Sequence, residues 1–235
     1  MEVTYKDHMG DDLSVVNAAR VSFGKSSEWE WKYPYHEKEW DDLAEEGWSP
    51  DDPWTCFEWK RLAKADQSLI KYLAKHEHYS PFGHCFISLH VKAPIFVARQ
   101  LVKHKFLRWN EISRRYVDTE PEFYTPEVWR GRSADKKQGS EGIVESVGSY
   151  DPAILLEDYN GLLDLGVCPE QARMVLPQST MTEWWWSGSL DAFTDTYNLR
   201  AKPDAQKETQ EIARQIKEIV EPLFPCSWSA LTTRS

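Results

Sequence analysis

No stretch of this chain reaches the roughly 18 uninterrupted apolar residues of a membrane-spanning helix, so none is expected. Residues 1–10 are polar and lack the apolar core of a secretory leader, so no leader is expected either. Cysteine is scarce. Cys56, Cys85, Cys168 and Cys226 are the only four, and none are spaced as C-x-x-C. They read as reduced, structural thiols in a cytoplasmic protein. The glycine-rich G-x-G-x-x-G and G-x-x-x-x-G-K-[ST] patterns are missing, which argues against a Rossmann or P-loop nucleotide site. H-E-x-x-H is missing too. The pair His76 and His78 closes a helical pattern, where capping or ligand contact is the simpler reading, so no metal is expected. Positive charge is in deficit: 28 Lys and Arg against 38 Asp and Glu give a formal net charge of −10. That balance disfavours a general nucleic-acid coat, and no specific nucleic-acid partner is expected.

The charge that is present is segregated. Residues 99–116 carry Arg99, Lys103, Lys105, Arg108, Arg114 and Arg115 against the single acid Glu111. A solvated basic face would explain this. A concentrated anion site explains it better, because a phosphate group needs several fixed donors. Around this segment the pattern is α+β. Apolar spacing predicts helices over 11–19 and 62–76. Alternation of Cys85, Ile87, Leu89 and Val91 with Ser88, His90 and Lys92 predicts a strand over 85–92. Pro94 is expected to open a helix reaching about residue 102. Residues 131–150 are polar and rich in Gly and Ser, as in a surface loop. Helices follow from Asp151-Pro152 to Gly166 and over 169–176, then an aromatic strand over 180–187 and helices over 190–199 and 205–221. The stretch 25–60 holds six of the twelve Trp with Pro34, Pro50 and Pro53, and is expected to be an ordered insertion. At 235 residues, the chain suits one domain, 1–235, with a small mixed or antiparallel sheet flanked by helices and the insertion at about 25–60.

Within 99–116 the side chains suit a phosphorylated, uracil-like ligand. Gln100 and Asn110 can pair with an amide edge. Arg115 can grip phosphate as a fork, while Lys103 and Lys105 act as point charges.

This segment resembles the signature of flavin-dependent thymidylate synthases: Arg-His-Arg, seven residues, then Ser, with Asn-Glu before that Ser and Arg-Tyr after it. Here it reads Lys103-His104-Lys105, then Ser113, with Asn110-Glu111 and Arg115-Tyr116 in place. Further segments are similar to the same family: Ala18-Ala19-Arg20-Val21-Ser22-Phe23, His76 to His84 around Ser80-Pro81, Glu170-Gln171-Ala172-Arg173 with Leu176-Pro177, and Asn198-Leu199-Arg200 with Ala205-Gln206 and Glu208. The resemblance implies that Ser22, His78, Ser80, Lys103, His104, Lys105 and Glu111 contact FAD. It implies that Gln100, Ser113, Arg114, Arg115, Arg173 and Arg200 hold dUMP. Catalysis would fall to Arg200, which polarises the pyrimidine, and to Ser113 as a substrate contact rather than a nucleophile. The implied activity is methylation of dUMP to dTMP, with methylenetetrahydrofolate as one-carbon donor and NADPH as reductant, in a homotetramer with shared active sites. The chain departs from the family pattern in its Lys-His-Lys, in Arg108, Arg114 and Gly83, in Ser189, Asp195 and Asp204, and in the long insertion. These mark a divergent branch; if it is viral, the host cytoplasm is the expected location. Two alternatives stand beside the synthase: a flavin-dependent pyrimidine nucleotide hydroxymethylase, and a catalytically weak nucleotide- or RNA-binding relative.

Overall fold

A computed structural model describes residues 1–32, 59–117, 119–134, 139–145, 147–148 and 150–233. In chain order the strands are β1 (Glu2–Met9), β2 (Glu30–Lys32), β3 (Trp59–Arg61), β4 (Phe86–Pro94), β5 (Leu107–Glu111), β6 (Arg130–Arg132), β7 (Ser140–Ile143) and β8 (Met181–Ser189). The helices are α1 (Asp12–Arg20), α2 (Lys64–Lys75), α3 (Ile95–Leu101), α4 (Ala153–Asp164), α5 (Pro169–Ala172), α6 (Leu190–Arg200), α7 (Lys207–Val220) and α8 (Pro225–Thr232). Contacts divide the chain into two compact units, Met1–Met9 with Phe86–Leu223, and Gly10–Cys85 with Phe224–Ser235.

The first unit is organised on an antiparallel sheet in the order β1-β4-β8-β5. Its core follows from strand alternation. Ile87, Leu89, Val91 and Ala93 of β4 and Trp184 and Trp186 of β8 are buried, while Ser88, His90 and Trp185 face away. Trp109 of β5 stacks on Trp184 at 4.2 Å, and Phe193 of α6 meets Trp186 edge-on at 5.4 Å. Gly188 lets β5 approach: a Cβ there would stand 2.3 Å from Leu107 Cδ2 and 2.8 Å from the Phe106 carbonyl oxygen. Helix α7 buries Ile212, Ala213, Ile216 and Val220, and its Gln215 Oε1 accepts the Val3 N–H of edge strand β1 at 2.8 Å.

The second unit packs α1, α2 and α8. Helix α1 carries a reciprocal capping box of Asp11 and Ser14. The buried Asp12 carboxylate accepts the N–H groups of Cys226 and Ser227 at 2.8 and 2.9 Å, capping α8. Cys85 is fully buried, and its thiol is pushed up to about 12 by burial and then by Asp11 and Asp12. Burial and then Asp12 likewise push Cys226 up to about 11. Both thiols are inert at neutral pH, in line with a structural role.

The α+β class and the antiparallel sheet agree with the sequence reading, and the expected helices and the two long strands are present within a few residues. Pro94 differs. It ends β4 in an extended conformation (φ −68°, ψ 153°), and the helix begins at Ile95. The expected surface loop 131–150 includes a hairpin of β6 and β7, closed because Gly131 has no Cβ to meet Glu141 O at 2.6 Å. Strands β1 and β5 and helix α8 were not anticipated. The Trp-rich stretch 25–60 lies mostly outside the described residues. Of its flanks, β2 pairs with β3, and Lys60 Nζ lies 4.9 Å from the Trp29 ring centroid. No helix among the described residues is long and apolar enough to cross a membrane.

Candidate active site

In the first unit, helix α3 ends at Leu101, and the chain turns through residues 102–106 into β5. Phe106 adopts a left-handed φ of 63° in that turn. Helix α6 delivers Arg200 at its last residue. The Arg200 Nε donates to His104 Nε2 at 2.9 Å, and its Nη2 donates to the Gln100 carbonyl, near the end of α3, at 3.0 Å. Burial lowers the Arg200 pKa, yet a guanidinium stays charged. Burial first, and the Arg200 charge second, hold His104 down at about 4. At neutral pH the imidazole is therefore neutral and accepts at Nε2. That arrangement fixes the guanidinium and leaves three of its N–H groups available for a ligand.

Arg200 lines a cleft of about 620 Å³ together with Arg99, Gln100, Lys103, Arg130, Ser140 and Gln206. Among the described residues, four cations and no carboxylate line this space. No acid among the described residues pairs with Arg99 or Lys103. The Gln100 amide donates to Gln206 Oε1, which orients it at the cleft wall. The cleft suits an anion with a flat polar ring.

The remaining residues expected around the nucleotide are placed elsewhere in the same unit. Ser113 opens a turn and accepts from the Arg115 backbone N–H and Nε, both at 3.3 Å, with no base on its hydroxyl among the described residues. Arg114 donates to the Thr119 carbonyl, and the Arg115 guanidinium lies 4.8 Å from the Tyr116 ring centroid. Arg173, in a 3₁₀ turn after α5, donates to the Glu170 carbonyl at 3.2 Å. None of these four lines the cleft. Glu111 is engaged at both oxygens, accepting from Thr182 Oγ1 at 2.6 Å and Trp109 Nε1 at 3.0 Å, so it is rigidly placed on the sheet. Lys105 is exposed in the turn before β5.

In the second unit, Ser22, His78 and Ser80 share a cavity of about 1070 Å³ with Phe23, Leu69 and Tyr72. Helix α2 ends in a Schellman-type turn with Glu77 at φ 58° and the His78 N–H on the Leu73 carbonyl at 2.9 Å. The turn carries the two histidine rings onto Tyr72, at 4.3 Å for His76 and 6.1 Å for His78. An aromatic and aliphatic wall with two hydroxyls and an imidazole fits the flat, hydrogen-bonding ring system of a flavin. Lys103 and Lys105, in the first unit, are point charges without an acidic partner among the described residues.

Sequence reasoning missed Arg130 and Ser140: Ser140 lies in the stretch taken for a surface loop, and Arg130 directly precedes it. Arg130 Nη2 donates to the Glu208 carboxylate at 2.6 Å and its Nε to Ser140 Oγ at 2.9 Å. Tyr124 O–H also donates to Glu208, at 3.3 Å. Burial alone would raise the Glu208 pKa, but Arg130, its own backbone N–H and Gln206 outweigh it and hold it below the usual carboxylate range.

Comparison with known proteins gives the family. Residues 5–226 match the family model described as thymidylate synthase complementing protein. The flavin-dependent thymidylate synthase of one Thermus thermophilus strain is 36% identical over 229 residues, covering 95% of this chain and 73% of that protein. The enzyme of the same name from Thermosipho africanus is 33% identical over 232 residues, 95% of this chain and 87% of its own length. Among solved structures, the UMP/dUMP methylase PolB from Streptomyces cacaoi, bound with 5-Br dUMP, superposes with a TM-score of 0.72. It is 27% identical over 99% of this chain and 95% of that one. These names favour methylation over the hydroxymethylase alternative. A family match across nearly the whole chain, with relatives above 30% identity over most of both lengths, identifies the chain as a member of the flavin-dependent thymidylate synthase family.

Proposed function

We propose that this chain methylates dUMP to dTMP, using FAD, methylenetetrahydrofolate as one-carbon donor and NADPH as reductant. The observation that carries the reading is Arg200, clamped by neutral His104 and the Gln100 carbonyl in a cleft whose other cations are Arg99, Lys103 and Arg130. Bound flavin would supply hydride-transfer chemistry. Lys103 and Lys105 of the first unit, and Ser22, His78 and Ser80 of the second, stand as flavin contacts in this reading, which different copies of the chain can supply. Arg99 would attract the nucleotide phosphate to the cleft. Arg200 would face the pyrimidine and stabilise the negative charge that develops on the ring oxygens when C6 is attacked, a contribution of about 3–4 kcal/mol for a preorganised donor. His104 acts as a positioning residue: it accepts from Arg200 and keeps the fork aimed.

Ser113, Arg114, Arg115 and Arg173 stand as nucleotide contacts in this reading, and Glu111 as a flavin contact. In a homotetramer the residues of one active site need not come from one chain, which accommodates their placement away from the cleft. We also take 1–235 to act as a single catalytic domain, working in the cytoplasm. Incubation of the FAD-reconstituted protein with dUMP, methylenetetrahydrofolate and NADPH, followed by mass analysis of the nucleotide, tests the function. dTMP is the expected product. Hydroxymethyl-dUMP, or unchanged dUMP with no flavin retained after desalting, would overturn it.

A further inference from the structure

The hairpin of β6 and β7 brings a residue to the cleft that no family motif quoted above contains. Arg130 lies at the start of β6, and Gly131 beside it permits the strands to close. The other strand presents Ser140, preceded by Gly139 at φ 91°, where an added Cβ would stand 3.4 Å from the Asp204 carbonyl oxygen. The hairpin is thus seated against the connection that also supplies Ala205 and Gln206 to the cleft.

Arg130 is only 25% exposed, and Glu208 beneath it 5%. A guanidinium has five N–H donors, and Arg130 spends one on Glu208 and one on Ser140. Three remain unspent, and Arg130 lines the cleft. If the pair served only to hold the hairpin, it would do so inefficiently, because burying two charges costs desolvation that apolar packing would avoid. A clamped fork beside Arg99, Lys103 and Arg200 has a clearer use, since it is preorganised for the oxygens of a phosphate.

We propose that Arg130 is a further substrate-binding residue, donating to the phosphate of the bound nucleotide, with Glu208 and Ser140 as the residues that position it. The inference rests on the nucleotide reading of the cleft. The test compares dissociation constants of dUMP and deoxyuridine, which lacks the phosphate, on the full FAD-reconstituted chain and its Arg130→Gln, Arg130→Lys and Glu208→Gln variants, with melting temperatures alongside. In the parent protein dUMP binds more tightly than deoxyuridine. In Arg130→Gln that preference falls by about ten- to a hundredfold, the range of one charge-assisted hydrogen-bonded contact, while deoxyuridine binding is unchanged. Arg130→Lys recovers part of it, because the charge returns without the fork. Glu208→Gln lowers the preference less than Arg130→Gln does. A purely structural Arg130 would weaken both ligands alike and leave the preference intact in both Arg130 variants; that outcome overturns the inference alone. A parent protein with no preference for dUMP would overturn the nucleotide reading and this inference together.

Discussion

Arg200 and Ser113 mark opposite ends of what a single residue can contribute. Arg200 holds two partners and offers its remaining donors to the cleft. Arg200→Ala should therefore lower turnover by roughly 10²-fold or more, and Arg200→Lys should recover little, since an ammonium cannot replace the fork. Among the described residues, the Ser113 hydroxyl has only N–H donors as partners. Ser113→Ala should raise the KM for dUMP and leave measurable kcat, and steady-state kinetics with melting curves separates the two cases. His104 gives the site a pH dependence. Its ordinary value is about 6.5, and folding depresses it to about 4. Between those values His104 is more protonated in the unfolded chain than in the native one, so its contribution to stability falls as pH drops from about 6.5 towards 4. His104→Gln, which keeps an acceptor for Arg200 without a titrating group, should flatten that part of a melting-temperature profile; an unchanged slope would assign it to other groups.

Two elements depend on single residues distant in sequence. The α8 N-terminus is capped by Asp12, whose carboxylate is nearly fully buried and takes the Cys226 and Ser227 N–H groups. Asp12→Ala should cost about 1–3 kcal/mol by leaving both donors unsatisfied, and Asp12→Asn less, because one acceptor oxygen survives. Urea denaturation of the two variants measures the difference. Strand β5 lies against β8 only because residue 188 is glycine. Leu107 could swing aside from an added Cβ, but the Phe106 carbonyl is backbone. Gly188→Ala should therefore destabilise by about 1–3 kcal/mol and shift the strand that follows the 102–106 turn. A fall in thermal stability accompanied by a weaker Trp109–Trp184 signal in near-UV circular dichroism would show it.

Over the whole molecule, the cleft gathers Gln100, Lys103 and Arg200 but not Ser113, Arg114, Arg115 or Arg173. If four copies share their active sites, two inactive variants carrying lesions in the two groups should complement each other. A 1:1 mixture of Arg200→Ala and Arg173→Ala, refolded together, should regain up to about a quarter of parental activity through hybrid sites. No regain, with a tetramer still present by sedimentation, would place both residues in one chain's site.

Local pattern determined much of this protein. Alternation in 85–92, the aromatic run in 180–187 and amphipathic spacing in 62–76 and 205–221 are visible without coordinates, because each strand or helix buries one face against a core. The cationic segment was equally legible, as six basic residues with one acid stand out in an acidic chain. Strand β1 was not, because as an edge strand it buries only Val3 of its eight residues and shows no alternation. Strand β5 does alternate, with Leu107 and Trp109 against Arg108 and Asn110, but charge masked the period. Arg130 could not be read as a site residue, because its role depends on Glu208, 78 positions away. The same holds for Asp12 and α8, and for the His104–Arg200 clamp across 96 positions. Sequence reports short-range periodicity and residue chemistry. Which donor meets which acceptor across such distances is set by the packing of elements, so only the tertiary structure decided it.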